Sequence, residues 1–237
     1  MGCEYLINDK NRVVVAIDFP SANQAIMLAD QLDPEYCRLK VGKELFTREG
    51  PAIVEKLQNR GFDIFLDLKF HDIPNTTAAA CAVAAEMGVW MINVHALGGR
   101  RMMEAARNAV DKSSHQPLLI GVTILTSMAA DDLLEIGLSD QPAKEVERLA
   151  GLAKDSGLDG LVCSAHEATA MRSRFGSDFV LVTPGIRPDG SDKGDQRRTM
   201  TPIEALNAGA SYLVIGRPIS RVDNPADVLK NIVTELD

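Results

Sequence analysis

A single-domain (β/α)8 TIM barrel is the fold class that this 237-residue chain predicts, and three observations predict it. Short β-branched runs alternate strictly with longer helix-like stretches, about eight of each, which calls for parallel strands joined by right-handed crossovers. The turn after the first run reads Asp18-Phe19-Pro20-Ser21, where an open dinucleotide-binding sheet would carry Gly-x-Gly-x-x-Gly. No linker, low-complexity tract or composition step divides residues 1–237, and a barrel of about 250 residues is one domain.

The first strand is expected at Arg12–Asp18 and is followed by a helix at Ala22–Leu32. The second strand, Cys37–Gly42, leads into a helix at Glu44–Asn59 that stops before the C-cap glycine Gly61. The third strand, Phe62–Lys69, ends in the charged string Asp67-Leu68-Lys69-Phe70-His71-Asp72-Ile73-Pro74-Asn75-Thr76. Pro74 suits the first turn of the next helix, Asn75–Met87, which Gly88 terminates. The fourth strand is Val89–His95 with a helix at Arg100–Ala109, and the fifth is Leu118–Ile124. An amphipathic insertion at Ala129–Ser139, a small helix or a loop, precedes the helix Ala143–Ser156, which Gly157 ends. The sixth strand, Gly160–Cys163, is followed by a helix at Glu167–Arg174, and the seventh, Phe179–Thr183, by a long polar loop, Pro184–Met200. Loops beyond about 12–15 residues in a compact domain are usually functional or disordered. The helix Pro202–Ala208, closed by Gly209, the eighth strand Tyr212–Ile215 and the helix Pro225–Leu236 complete the chain.

A net charge of -8 argues against a nucleic-acid partner, which would call for a basic face, but leaves room for a small anion. Cys3, Cys37, Cys81 and Cys163 are widely spaced, as reduced thiols of a cytosolic protein would be. Met1 to Arg12 carries Glu4, Asp9, Lys10 and Arg12 and lacks an apolar leader core. No stretch approaches the roughly 20 apolar residues of a membrane span. A cytoplasmic protein without membrane association is expected.

Side chains alternate faces along a strand. Val13, Val15 and Ile17 share one face of the first strand, Leu39 and Val41 one face of the second, and Ile64, Leu66 and Leu68 one face of the third. The opposite faces then carry Asp18, Lys40, Asp67 and Lys69 into the barrel at its C-terminal rim, where barrel enzymes hold their active sites. Four inward charges exceed what packing requires, since unpaired charge near a core costs several kcal/mol, on the order given by buried-ion transfer. At the loops after the seventh and eighth strands, Arg187, Gln196, Gly216 and Arg217 suit a phosphate, because glycine permits close backbone approach and arginine presents a fork. His71 and His95 lack partners at ligand spacing, so no metal is expected, and His95 is read as a hydrogen-bonded supporting residue.

The string from Asp67 to Thr76 resembles the signature of the orotidine 5′-phosphate decarboxylase family, bacterial branch. So do Ala16-Ile17-Asp18, Leu39-Lys40-Val41-Gly42, Asn93-Val94-His95, Leu125-Thr126-Ser127, Thr183-Pro184-Gly185-Ile186-Arg187, Gly194-Asp195-Gln196-Arg197-Arg198 and Val214-Ile215-Gly216-Arg217-Pro218, in the family's order from Val13 to Leu236. The resemblance implies conversion of orotidine 5′-phosphate to UMP and CO2 without metal or organic cofactor. It implies that Lys69 donates the proton to C6 within an array of Lys40, Asp67, Lys69 and Asp72, with Asp72 reaching across a homodimer. Asp18 and Lys40 would hold ribose hydroxyls. Thr126 or Ser127 would meet the pyrimidine, and Ile73 and Thr76 also fall among the implied substrate contacts. Arg187, Gln196, Gly216 and Arg217 would hold the phosphate. Asp-x-Lys-x-x-Asp alone is shared with a sugar-phosphate decarboxylase relative, so a metal-assisted sugar-phosphate decarboxylase or epimerase is the alternative. A non-catalytic nucleotide-binding barrel is a third reading.

Overall fold

The computed structural model describes residues 11–188 and 199–236. Its strands close into a parallel barrel in chain order, with β8 paired back onto β1. The strands are β1 Val13–Ala16, β2 Arg38–Gly42, β3 Ile64–Phe70, β4 Met91–His95, β5 Leu118–Val122, β6 Gly160–Val162, β7 Val180–Thr183 and β8 Tyr212–Ile215. The helices are α1 Ala22–Ala29, α2 Lys43–Glu49, α3 Pro51–Gln58, α4 Pro74–Glu86, α5 Arg100–Asp111, α6 Ala130–Glu135, α7 Pro142–Asp155, α8 Ala165–Phe175, α9 Pro202–Asn207, α10 Arg217–Ser220 and α11 Pro225–Leu236.

Period-two alternation sorts the apolar side chains into two layers. Val13, Val15, Leu39, Val41, Ile64 and Leu66 pack outward under the helices, whereas Val14, Ala16, Phe65, Met91, Ile120, Val180, Val182 and Val214 fill the barrel. At the N-terminal end Arg38 plugs this inner layer. Its guanidinium lies 4.3 Å from the Trp90 ring centroid and pairs with Asp63 at 3.2 Å. The charged residues that end the strands lie at the opposite, C-terminal rim.

The expected helix Glu44–Asn59 is two helices. Pro51 has no N–H to continue α2, and Gly50, at φ 63 and ψ -157, turns the chain so that Pro51 can start α3. Asn75–Met87 begins one residue earlier, at Pro74, the position its fixed φ favours. The insertion contains the short helix α6, and α10, directly after β8, was not expected. Gly61, Gly88, Gly157 and Gly209 all have positive φ, as the C-cap reading requires. No described helix is long and apolar enough to cross a membrane.

Candidate active site

Three adjacent strands bring four charges into one chain of contacts. The Lys40 ammonium lies 3.1 Å from Asp18 Oδ1 and 3.3 Å from Asp67 Oδ2, and the Lys69 ammonium lies 2.5 Å from Asp67 Oδ1. The central pair is nearly dry: the side chains of Lys40 and Asp67 are 10% and 11% exposed, against 59% for Asp18. Burial pushes the Asp67 carboxyl up, but Lys40 and Lys69 together with hydrogen bonds from Lys69 and Asn93 outweigh it and hold the group below its usual range. Burial likewise pushes Lys40 down, and Asp67 and Asp18 more than reverse that. Both charges therefore persist over a wide pH interval. The contribution of Asp67 is lost as pH falls through its depressed value, and that of Lys40 as pH rises through its elevated one.

The strand that carries Asp67 and Lys69 is not regular. Leu66 pairs with Ile92 and Phe70 with Val94, so Asp67, Leu68 and Lys69 lie opposite the single residue Asn93. Within this bulge Lys69 takes φ 52, making it the one described non-glycine residue with positive φ. Such a conformation costs on the order of 1–3 kcal/mol and persists only where the surroundings enforce it. Simple alternation predicts a shared face for Asp67 and Lys69. Their ammonium–carboxylate contact is made across a bulge instead.

Two connected cavities open at this rim. The larger, 670 Å³, is lined by Asp18, Lys40, Pro184, Gly185, Arg187, Gly216, Arg217 and Arg221, among others. The smaller, 170 Å³, is lined by Lys40, Asp67, Lys69, Thr126 and an apolar wall including Val122, Ile124, Val162 and Val182. Lys40, Pro184 and Val214 belong to both linings, so a ligand can lie across the charge array with an apolar ring at one end and an anion at the other. The cationic end is built by the turn after β7, which buries Arg187, and by Gly216-Arg217 at the start of α10. Gly42 keeps the middle open: a Cβ there would sit 2.7 Å from Asp18 Oδ1 and 3.3 Å from Lys40 Nζ.

The structure brings Asp18, Lys40, Asp67, Lys69, Thr126, Arg187, Gly216 and Arg217 to these cavities. Ser127 is exposed and lies outside both linings. Asp72, Ile73 and Thr76 are also exposed and line neither cavity. The Asp72 carboxylate caps the Ile73 amide at 2.6 Å and forms no ion pair among the described residues. Gln196 lies outside the described residues. His95 departs from expectation: its Nδ1 is buried without a hydrogen-bond partner among the described residues, and its ring faces that of His71 at 5.5 Å. Burial, helped by His71, Lys43 and Lys69, lowers the His95 pKa to about 4, so the ring is neutral near pH 7. Among the described residues no cluster of three His, Cys, Asp or Glu side chains could hold a metal ion. Sequence reasoning missed Gly42 and Asn93. Both lay inside recognised motif blocks, but the alternation that singled out charged inward positions assigns no role to a glycine or an amide.

Comparison with known proteins agrees with this geometry. Residues 11–232 match the model of the orotidine 5′-phosphate decarboxylase / HUMPS family. An orotidine 5′-phosphate decarboxylase of Hydrogenovibrio crunogenus is 62% identical over 221 residues, covering 93% of this chain and 94% of that protein. One from Marinomonas sp. is 59% identical over 225 residues, covering 94% and 96%. The crystal structure of orotidine 5′-phosphate decarboxylase from Lactobacillus acidophilus superposes with a TM-score of 0.86 at 36% identity, covering 96% of this chain and 99% of that one.

Proposed function

The chain belongs to the orotidine 5′-phosphate decarboxylase / HUMPS family, and on that premise we propose that it converts orotidine 5′-phosphate to UMP and CO2, the last step of de novo pyrimidine synthesis, without metal or organic cofactor. The observation that carries this proposal is the Lys40–Asp67–Lys69 array, its Lys40–Asp67 pair nearly dry, set between an apolar-walled compartment and an arginine-lined one.

In the proposed reaction the bond between C6 and the carboxylate breaks, its electron pair stays on C6, CO2 departs, and Lys69 gives C6 a proton. A carbanion at C6 is poorly delocalised by the ring, so an ammonium fixed beside it stabilises the developing charge before delivering the proton. Asp67, itself paired with Lys40, holds that ammonium in place, and Asp18 with Lys40 takes the ribose hydroxyls. Thr126 serves the pyrimidine, and Arg187, Gly216, Arg217 and, outside the described residues, Gln196 serve the phosphate. Asp72, with Ile73 and Thr76, is assigned to the site of a second copy in a homodimer. This is supported by their exposure and by the absence of any ion pair between Asp72 and its own Lys69. The whole chain acts as one barrel domain, and a cytoplasmic location accords with a free nucleotide substrate.

Loss of orotidine 5′-phosphate absorbance as UMP forms, with and without excess chelator, tests the proposal. Turnover that survives chelation is expected. Turnover abolished by chelation and returned by Mg2+ would favour the metal-assisted alternative, and no turnover at all would defeat the assignment.

Two substitutions probe separate ends of the site. Arg217→Ala removes a charged hydrogen-bond donor worth about 1.5–3 kcal/mol, so kcat/KM should fall roughly 10- to 150-fold. Kinetics unchanged from wild type would remove Arg217 from the phosphate site. Gly42→Ala meets no backbone strain, since φ -90 and ψ 179 suit any residue. Its methyl should nevertheless displace Asp18 and Lys40 and lower kcat/KM roughly 10- to 100-fold, as misplacement by about 1 Å does elsewhere. Circular dichroism should stay that of the wild type, and an unaltered kcat/KM would show that the neighbours relax without consequence.

A further inference from the structure

The bulge in β3 raises a question that the charge array alone does not answer: what holds Lys69 in a conformation it would not choose. Its amide has left the strand ladder, because β3 carries three residues where β4 carries one. A backbone N–H at such a place needs another acceptor. The acceptor is the side chain of Asn93, whose Oδ1 takes the Lys69 amide at 2.7 Å. The other half of the same carboxamide, Nδ2, donates to Asp67 Oδ1 at 2.7 Å. Asn93 is 0% exposed and lines neither cavity, so it is not placed to touch a ligand.

We infer that Asn93 is a positioning residue of the charge array, its single carboxamide fixing the backbone of Lys69 and the carboxylate of Asp67 relative to one another. The inference rests on the proposed decarboxylase reading for its catalytic consequence, though not for its structural content. Both contacts require the amide oxygen toward Lys69 and the amide nitrogen toward Asp67; the flipped orientation would set donor against donor and acceptor against acceptor. An aspartate here could accept from Lys69 but would face Asp67 with a second carboxylate. A leucine of similar shape would leave the Lys69 amide and one Asp67 lone pair without their partner. Asparagine is thus required for the asymmetry of its two ends, and buried networks of this kind are costly when half satisfied.

Asp67 is faced by Lys40 from β2, by Lys69 on its own strand, by Asp18 of the β1 end through Lys40, and by His95 from β4. Taking away the Asn93 donor removes one of the contacts that favour its carboxylate form, while the two ammonium groups remain.

The experiment compares Asn93→Leu and Asn93→Asp with wild type by steady-state kinetics on orotidine 5′-phosphate across pH. It adds UMP affinity and a 13C NMR titration of the Asp67 carboxyl. Asn93→Leu should lose at least about 30-fold in kcat, keep its UMP affinity within about 3-fold, and titrate Asp67 at higher pH than wild type. Asn93→Asp should be weak near pH 8 and recover as pH falls, because a protonated aspartyl group regains one donor and one acceptor end. Wild-type kcat in Asn93→Leu, or an unshifted Asp67 titration, would overturn the inference. So would losses in both variants that follow thermal stability alone and show no recovery of Asn93→Asp at lower pH. If Asn93→Leu does not fold, the pH recovery of Asn93→Asp decides the matter. If wild type itself fails to turn over orotidine 5′-phosphate, the decarboxylase reading falls, and the Asp67 titration still judges the role of Asn93.

Discussion

Lys69→Ala is expected to lower kcat for orotidine 5′-phosphate by about 10^4-fold or more while leaving a folded protein that still binds UMP. Two effects are removed at one atom. A positioned general acid contributes typically 10^2- to 10^4-fold, and a preorganised charge beside a developing anion about 10^2- to 10^3-fold. Because one ammonium provides both, the loss is measured as a unit and not as a product of separate terms. The fold should survive because Asp67 keeps Lys40 at 3.3 Å and the Asn93 hydrogen bond at 2.7 Å, so its charge is not orphaned. Alanine inherits the backbone strain at φ 52, whereas glycine adopts that region freely. Lys69→Gly should therefore melt above Lys69→Ala, by an amount corresponding to roughly 1 kcal/mol. Rapid-quench or spectrophotometric kcat and thermal denaturation are the measurements. A Lys69→Ala enzyme keeping more than a hundredth of wild-type kcat would mean that another group protonates C6.

Mixing two inactive variants is expected to restore activity. Asp72 is exposed, caps its own Ile73 amide and forms no ion pair with Lys69 of its own chain, which supports the proposal that a second copy completes the array. Lys69→Ala and Asp72→Ala homodimers should each be nearly dead. After subunit exchange about half of the dimers are mixed and each has one complete site of two, so about one quarter of wild-type activity should return. Chromatography with differently tagged subunits verifies that exchange took place. Exchange without recovered turnover would place Asp72 in its own subunit's chemistry or in none.

The barrel itself was legible because its determinants are local. The alternation of Val13, Val15 and Ile17 against Val14 and Ala16 assigns two faces to β1 whatever surrounds it, and the same holds for Ile64 and Leu66 against Phe65. Inward charge at Lys40 and Asp67 followed from that parity, and so did their meeting at the rim. The break at Gly50-Pro51 was also local and could have been read, since proline after glycine ends one helix and starts another. The helical pattern on both sides concealed it.

Local patterning along the chain is enough to set the order of its strands and helices, the faces of its strands and the group of charges at one rim. Each of these depends on periods of two and 3.6 residues and on chain order. The tertiary structure alone decided how those charges are held. The bulge opposite Asn93, the positive φ of Lys69 and the clearance over Gly42 arise between strands 22 or more residues apart in sequence. Lysine carries no preference for the left-handed region, and an asparagine in a strand reads as a poor strand former. Only when β4 lies beside β3 does its amide find one group to accept from and another to donate to, and strand pairing of that kind is absent from any local pattern.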